Sequence, residues 1–237
     1  MYYIPTVPCG HQEWFNSYYS MDFILLHKLL DNSSYRQYYE NKSLSRVVEG
    51  RHSQYWILDN SAFELGESVS SEVLVEWMLR LGVDEVVLPD CYESKEATIK
   101  KSSDFISKYG DLLFEKNITM QAVPQGKDSE ELIDCLSFFE ENLPSSGVLG
   151  INKLWRVNRI LNIRDYTYRP LHKLGVKDFK EWMTLPSLID GHLSDSLFRS
   201  CDSRILTKIV TGQEDCWEVW LRDNERRILK TLIDSFI

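Results

Sequence analysis

Short β-like apolar runs recur along this chain, most of them separated by helical stretches and several ending in the same kind of residue. Tyr55–Leu58 runs into Asp59-Asn60-Ser61, Glu85–Leu88 into Pro89-Asp90-Cys91, and Ile118–Val123 into Pro124-Gln125-Gly126. Val148–Ile151 runs into Asn152-Lys153, Pro170–Leu174 into Gly175, and Arg199–Cys201 into Asp202-Ser203. Each run reads as a short buried strand with a polar residue or glycine at its C-terminal edge. Strands that alternate with helices predict βαβ units and a parallel sheet. In a parallel barrel all those edges open on one face, where active sites sit.

The expectation is an α/β fold, a (β/α)8 TIM-type barrel, with residues 1–237 as a single domain. The 237 residues fall slightly below the usual size of about 250. Met1–Val7 reads as a first strand, and Met21–Leu30 as a strand or a helix. Residues 32–41, polar and rich in tyrosine, carry no assignment. Ser70-Ser71-Glu72 starts a helix with Val73, Leu74, Trp77, Met78 and Leu81 at helical spacing and Gly82 as its stop. Further helices are expected over Ser94–Tyr109, ending at Gly110, over Asp128–Asn142, around 154–163 and over Asp178–Leu185. A long terminal helix is expected over Trp217–Phe236.

Hydrophobic residues make up 43% of the chain, ample for a core, and no apolar run approaches the ~18 residues of a membrane helix. Residues 1–20 lack a basic segment followed by an apolar one, so no signal peptide and a cytoplasmic location are expected. Five cysteines (9, 91, 135, 201 and 216) lie far apart with no CxxC pair, which argues against a structural zinc site. They read as free thiols, with Cys91 and Cys201 beside strand-end aspartates. The net charge of −9 argues against nucleic-acid binding by the chain as a whole. Residues 151–180, however, hold eight basic side chains against two acidic ones, a local balance of +6 that leaves −15 for the rest. Such a patch suits a phosphate backbone, or is simply a solvated face.

Buried strand-end carboxylates are costly unless they bind something, which makes Asp59, Asp90 and Asp202 the leading site candidates. A single such Asp is often only a helix cap. Gln125 offers a paired donor and acceptor suited to a nucleobase edge. His172 is a core histidine or a ligand.

The ordered series Asp59-Asn60-Ser61-Ala62-Phe63-Glu64, Pro89-Asp90-Cys91, Val123-Pro124-Gln125-Gly126, His172-Lys173-Leu174-Gly175 and Ser200-Cys201-Asp202-Ser203 resembles the tRNA-guanine transglycosylase family. It is most similar to the compact phage and bacterial branch that exchanges guanine for 7-deazaguanines in DNA. The resemblance covers roughly residues 55–205. It implies Asp202 as the nucleophile that forms a covalent glycosyl-enzyme and Asp59 as the general acid/base. It implies Asp90 and Gln125 as readers of the purine edge, with Asn60, Ser61, Gly126, Leu174 and Gly175 lining the pocket. Phe63 or Tyr92 is available for stacking on the base. The family's zinc-binding Cys/His cluster and its long tRNA-holding insertion are absent from this sequence, and the arginine-rich stretch after the nucleophile is reduced to Arg204.

The implied partners are DNA, or tRNA in its place, and a 7-deazaguanine base such as preQ0. No metal and no redox cofactor is required, and no membrane is involved. The same base exchange on tRNA, an N-glycosidase acting on a small nucleoside, and a non-catalytic nucleic-acid-binding barrel are the alternatives.

Overall fold

The computed structural model describes residues 2–5, 21–49, 54–152, 163–175 and 198–203, with the backbone alone at 2–5, 47–49, 164 and 198–203. Its strands are β1 (Tyr2–Pro5), β2 (Met21–Leu25), β3 (Tyr55–Asp59), β4 (Glu85–Val87), β5 (Thr119–Ala122), β6 (Val148–Ile151), β7 (Leu171–Lys173) and β8 (Phe198–Ser203). Its helices are α1 (Leu26–Asp31), α2 (Ser33–Glu49), α3 (Ala62–Leu65), α4 (Ser71–Leu81), α5 (Lys95–Glu115) and α6 (Ser129–Asn142). The expected helices around 154–163, over 178–185 and over 217–236 lie outside the described residues.

All ladder pairings are parallel, in the order β1-β8-β7-β6-β5-β4-β3-β2. The six strands β2–β7 and their helices form a curled sheet, which β8 and β1 extend. The curl brings residues of β1 and β2, the two ends of the row, within 8 Å between Cα atoms.

Side-chain alternation explains the curl. Trp56 and Leu58 join a large cluster with helix residues such as Leu74, Met78, Phe105 and Leu136. Ile57, between them, points the other way and packs with Met21, Phe23, Leu25, Val87 and Val123. A strand buried on both faces needs layers on both sides: helices outside, and the sheet's own inner face within. His172 belongs to that inner layer, fully buried and stacked on Phe23 at 5.4 Å between ring centroids, which favours the core histidine over a ligand.

The helices start where their caps say. Ser70 accepts from Val73 N–H, Ser94 from Ala97 N–H and Asp128 from Glu131 N–H, each worth about 1 kcal/mol. α5 does not stop at Gly110. A Cβ there would meet only Ile106, at 3.7 Å, and Leu113 one turn on is fully buried. The helix therefore runs to Glu115, and Asn117 in the left-handed region (φ 55°) ends it. The ambiguous run 21–30 is both a strand and a helix: β2 passes into α1 with no intervening loop. The unassigned stretch 32–41 is helical, with Tyr35 and Tyr39 one turn apart on its buried face.

At the N-terminal edge of the sheet, Asp84 Oδ2 accepts from Arg46 Nη2 and from the Trp56 backbone N–H, both at 2.7 Å. The Arg46 guanidinium lies 4.1 Å above the Trp56 ring.

Candidate functional site

A continuous hydrogen-bonded chain links the C-terminal ends of five neighbouring strands. It begins at the turn Asp59-Asn60-Ser61, which closes β3. Ser61 has a left-handed backbone (φ 61°, ψ 22°), which costs a serine about 1–2 kcal/mol. Three contacts hold it there. Its N–H donates to Asp59 Oδ2 at 2.9 Å. Its Oγ accepts the His27 backbone N–H at 3.0 Å and lies 2.9 Å from His27 Nδ1. One such bond returns about 0.5–1.5 kcal/mol, so the set outweighs the strain where a single bond would not. Ser61 also supplies the capping oxygen that α1 lacks, because Leu25 at its N-cap has no polar side chain.

Asn60 faces the other way. Its Nδ2 donates to the Leu88 carbonyl at 2.5 Å and to Asp90 Oδ1 at 2.7 Å, while its Oδ1 accepts from Ala62 N–H at 2.7 Å. Asp90 Oδ2 accepts from Gln125 Nε2 at 2.5 Å. Gln125 Oε1 in turn accepts from Asn152 Nδ2 at 3.2 Å and from Glu93 N–H at 3.3 Å. The chain thus runs His27–Ser61–Asp59 on one side and Asn60–Asp90–Gln125–Asn152 on the other.

Burial pushes the Asp90 carboxyl up to about 6, overriding the opposing pull of the Asn60 and Gln125 amides. A perturbed carboxylate at the C-terminal edge of a parallel sheet is a site signature. Asp59, half-buried, sits one strand away as the last residue of β3.

Four other expected site residues have local explanations. A Cβ on Gly126 would lie 2.6 Å from Leu132 N and 2.8 Å from Glu131, so the first turn of α6 already requires glycine. Gly175 has φ 61°, a left-handed backbone angle that favours glycine, with open space around a Cβ. Leu174 packs into the inner cluster, and its N–H donates to the Ile151 carbonyl at 2.9 Å. Phe63 is 66% exposed on α3 and meets Tyr92 edge-on, with ring centroids 5.8 Å apart. Asp202 is the penultimate residue of β8, paired in register with Ile4 of β1.

Of the basic segment, Lys153, Arg156, Arg159, Lys177 and Lys180 lie outside the described residues. Arg169 is engaged within the protein: Nε to Glu140 Oε2 at 3.0 Å, and Nη1 and Nη2 to the carbonyls of Pro144, Glu140 and Leu143. Lys173 is buried and donates to the Leu174 carbonyl at 3.1 Å. Cys135 is buried, which pushes its thiol up to about 12 and leaves it unreactive. No cluster of three or more His, Cys, Asp or Glu that could hold a metal occurs among the described residues. Among the same residues no helix is long and apolar enough to cross a membrane.

His27 was not among the sequence candidates. Its signal was faint: a polar residue interrupting an apolar run, 34 positions from its partner Ser61.

No family model matches the chain, and no curated protein matches it. Among solved structures it is similar to the YdjI aldolase from Escherichia coli K12, with a TM-score of 0.56 and 12% identity. The match covers 99% of this chain and 87% of the aldolase. At that identity the likeness is one of fold, an α/β architecture on a curled parallel sheet.

Proposed function

We propose that the curled sheet closes as a (β/α)8 barrel and that the protein is a DNA-guanine transglycosylase, exchanging guanine in DNA for a 7-deazaguanine base. The observation that carries this reading is the buried Asp90 carboxyl, held by Asn60 and Gln125 at the strand ends beside Asp59. Hydrogen bonds from Asn60, Gln125 and its own backbone N–H leave the Asp90 carboxylate one of its four lone-pair sites, which can accept from the N1–H or exocyclic amine of a guanine-type edge. Gln125 acts on Asp90, since both ends of its amide are engaged by protein groups.

In the proposed reaction Asp202 attacks the sugar C1′. The C1′–N9 bond breaks as the C1′–carboxylate bond forms, and Asp59 donates a proton to the departing guanine. The incoming 7-deazaguanine gives a proton back to Asp59 and displaces Asp202 from C1′. Retaining glycosidases divide the work between two carboxylates in the same way. Asp59 and Asp202 both belong to C-terminal strand ends, and closure of β1 on β2 would leave only those two strands between β3 and β8. The target base must leave the helix stack to enter such a site.

The test is incubation with labelled guanine and either duplex DNA or tRNA. Label is expected to enter DNA and not tRNA. Entry into tRNA alone moves the same chemistry to the other polymer. Release of free guanine without incorporation makes the protein an N-glycosidase, and inertness toward both polymers overturns the proposal.

A further inference from the structure

We infer that His27 is a positioning residue for the proposed acid/base Asp59, acting through the strained turn residue Ser61. The inference rests on the base-exchange reading for its kinetic consequence but not for the coupling itself. Asp59 Oδ2 accepts the backbone N–H of Ser61, and the direction of this N–H depends on the left-handed backbone at that residue. A serine relaxing to ordinary backbone angles would turn the N–H away from Asp59.

His27 opposes that relaxation with two groups of one residue. Its backbone N–H and its Nδ1 both meet Ser61 Oγ, at 3.0 and 2.9 Å. The hydroxyl proton goes to Nδ1 in one neutral tautomer, and Nδ1–H donates to Oγ in the other, so the contact holds Oγ in either case. The site is closed: Ser61 is fully buried and His27 nearly so. His27 also stands on a rigid joint, because β2 passes into α1 without a loop and Leu25 pairs in register with Asp59. His27 therefore sits in the first turn of α1, just past the end of β2, and Asp59 ends the neighbouring β3, with Ser61 bonded to both.

Two readouts on the full chain test the coupling. The first is hydrogen exchange of the Ser61 amide, compared with the amides of Ile57 and Leu58 in the same strand. In His27→Ala the Ser61 amide should exchange at least about tenfold faster while the strand amides keep their protection. His27→Gln, which keeps bulk and polarity but has no polar atom at the Nδ1 position, should behave alike and guards against a variant that fails to fold. His27→Asn, whose side-chain oxygen can take the Nδ1 position, should restore protection.

The second readout is base exchange into DNA. His27→Ala and His27→Gln should lower kcat by roughly 10–10²-fold with KM unchanged, as expected when a reacting group is misplaced. His27→Asn should recover most of it. Unchanged Ser61 protection in folded His27→Ala or His27→Gln overturns the inference, as does a fall in KM-dependent binding with kcat intact. Faster Ser61 exchange in a protein that incorporates no base at all leaves the coupling standing and removes the transglycosylase reading instead.

Discussion

Asp90 makes stability depend on pH in a direction opposite to that of most aspartates. Its carboxyl lies at about 6 in the folded protein, against an ordinary 3.8. Folding therefore takes up a proton between those values. The contribution is fully present below pH 3.8 and lost as pH rises through about 6, some 3 kcal/mol in total. Between pH 4.5 and 7.5 about 2 kcal/mol of it should disappear. Asp90→Asn is the reference that cannot titrate. It carries a fixed penalty of about 1–3 kcal/mol, because its amide must turn a donor toward Asn60 or Gln125. Neither partner can flip: Asn60 Oδ1 holds Ala62 N–H, and Gln125 Oε1 holds Asn152 and Glu93. Urea unfolding of both proteins across pH 4.5–7.5 separates the two effects. The wild type should lose about 2 kcal/mol relative to Asp90→Asn as pH rises. A difference that stays flat would mean that the two amide donors outweigh desolvation, and the claim of a perturbed carboxyl would fall.

The remaining predictions concern the reaction and the basic segment. Asp202→Ala should abolish base exchange with the fold intact by circular dichroism, and near wild-type exchange would remove Asp202 from the nucleophile role. Asp59→Asn should lower exchange by about 10²–10⁴ while DNA binding persists, and a loss below tenfold would place the acid/base elsewhere. Arg169→Ala should cost about 2–4 kcal/mol of stability, since it removes the Arg169 partner of Glu140 Oε2 and of the Glu140 and Leu143 carbonyls, yet leave the salt dependence of DNA affinity unchanged. The triple variant of Arg156, Arg159 and Arg164 to Ala should instead lower the slope of log K against log salt by about 0.9 per lost phosphate contact, and an unchanged slope would make these arginines a solvated face.

Elements with local signals were legible in the sequence. The strands at 55, 85, 119 and 148 are apolar runs bounded by turn residues, and Ser70, Ser94 and Asp128 announce their helices. Features set by distant partners were not. The 21–30 run hides a strand-to-helix joint because no glycine or proline marks it. Helix α2 was obscured by its polarity, although Tyr35, Tyr38 and Tyr39 hold helical spacing. Gly110 looks like a stop and is not one, because Leu113 is drawn into the core beyond it. At the site, sequence order singled out Asn60, Asp90 and Gln125. It offered no means of learning that they bind one another, or that His27 holds Ser61 from 34 residues away.

The Arg46–Asp84–Trp56 cluster stands at the opposite edge of the sheet from this network. It ties a long helix to two strands without touching any proposed catalytic group. Engineering for heat tolerance can therefore concentrate on that edge, where better packing or added ion pairs need not compromise the strand ends that carry the chemistry.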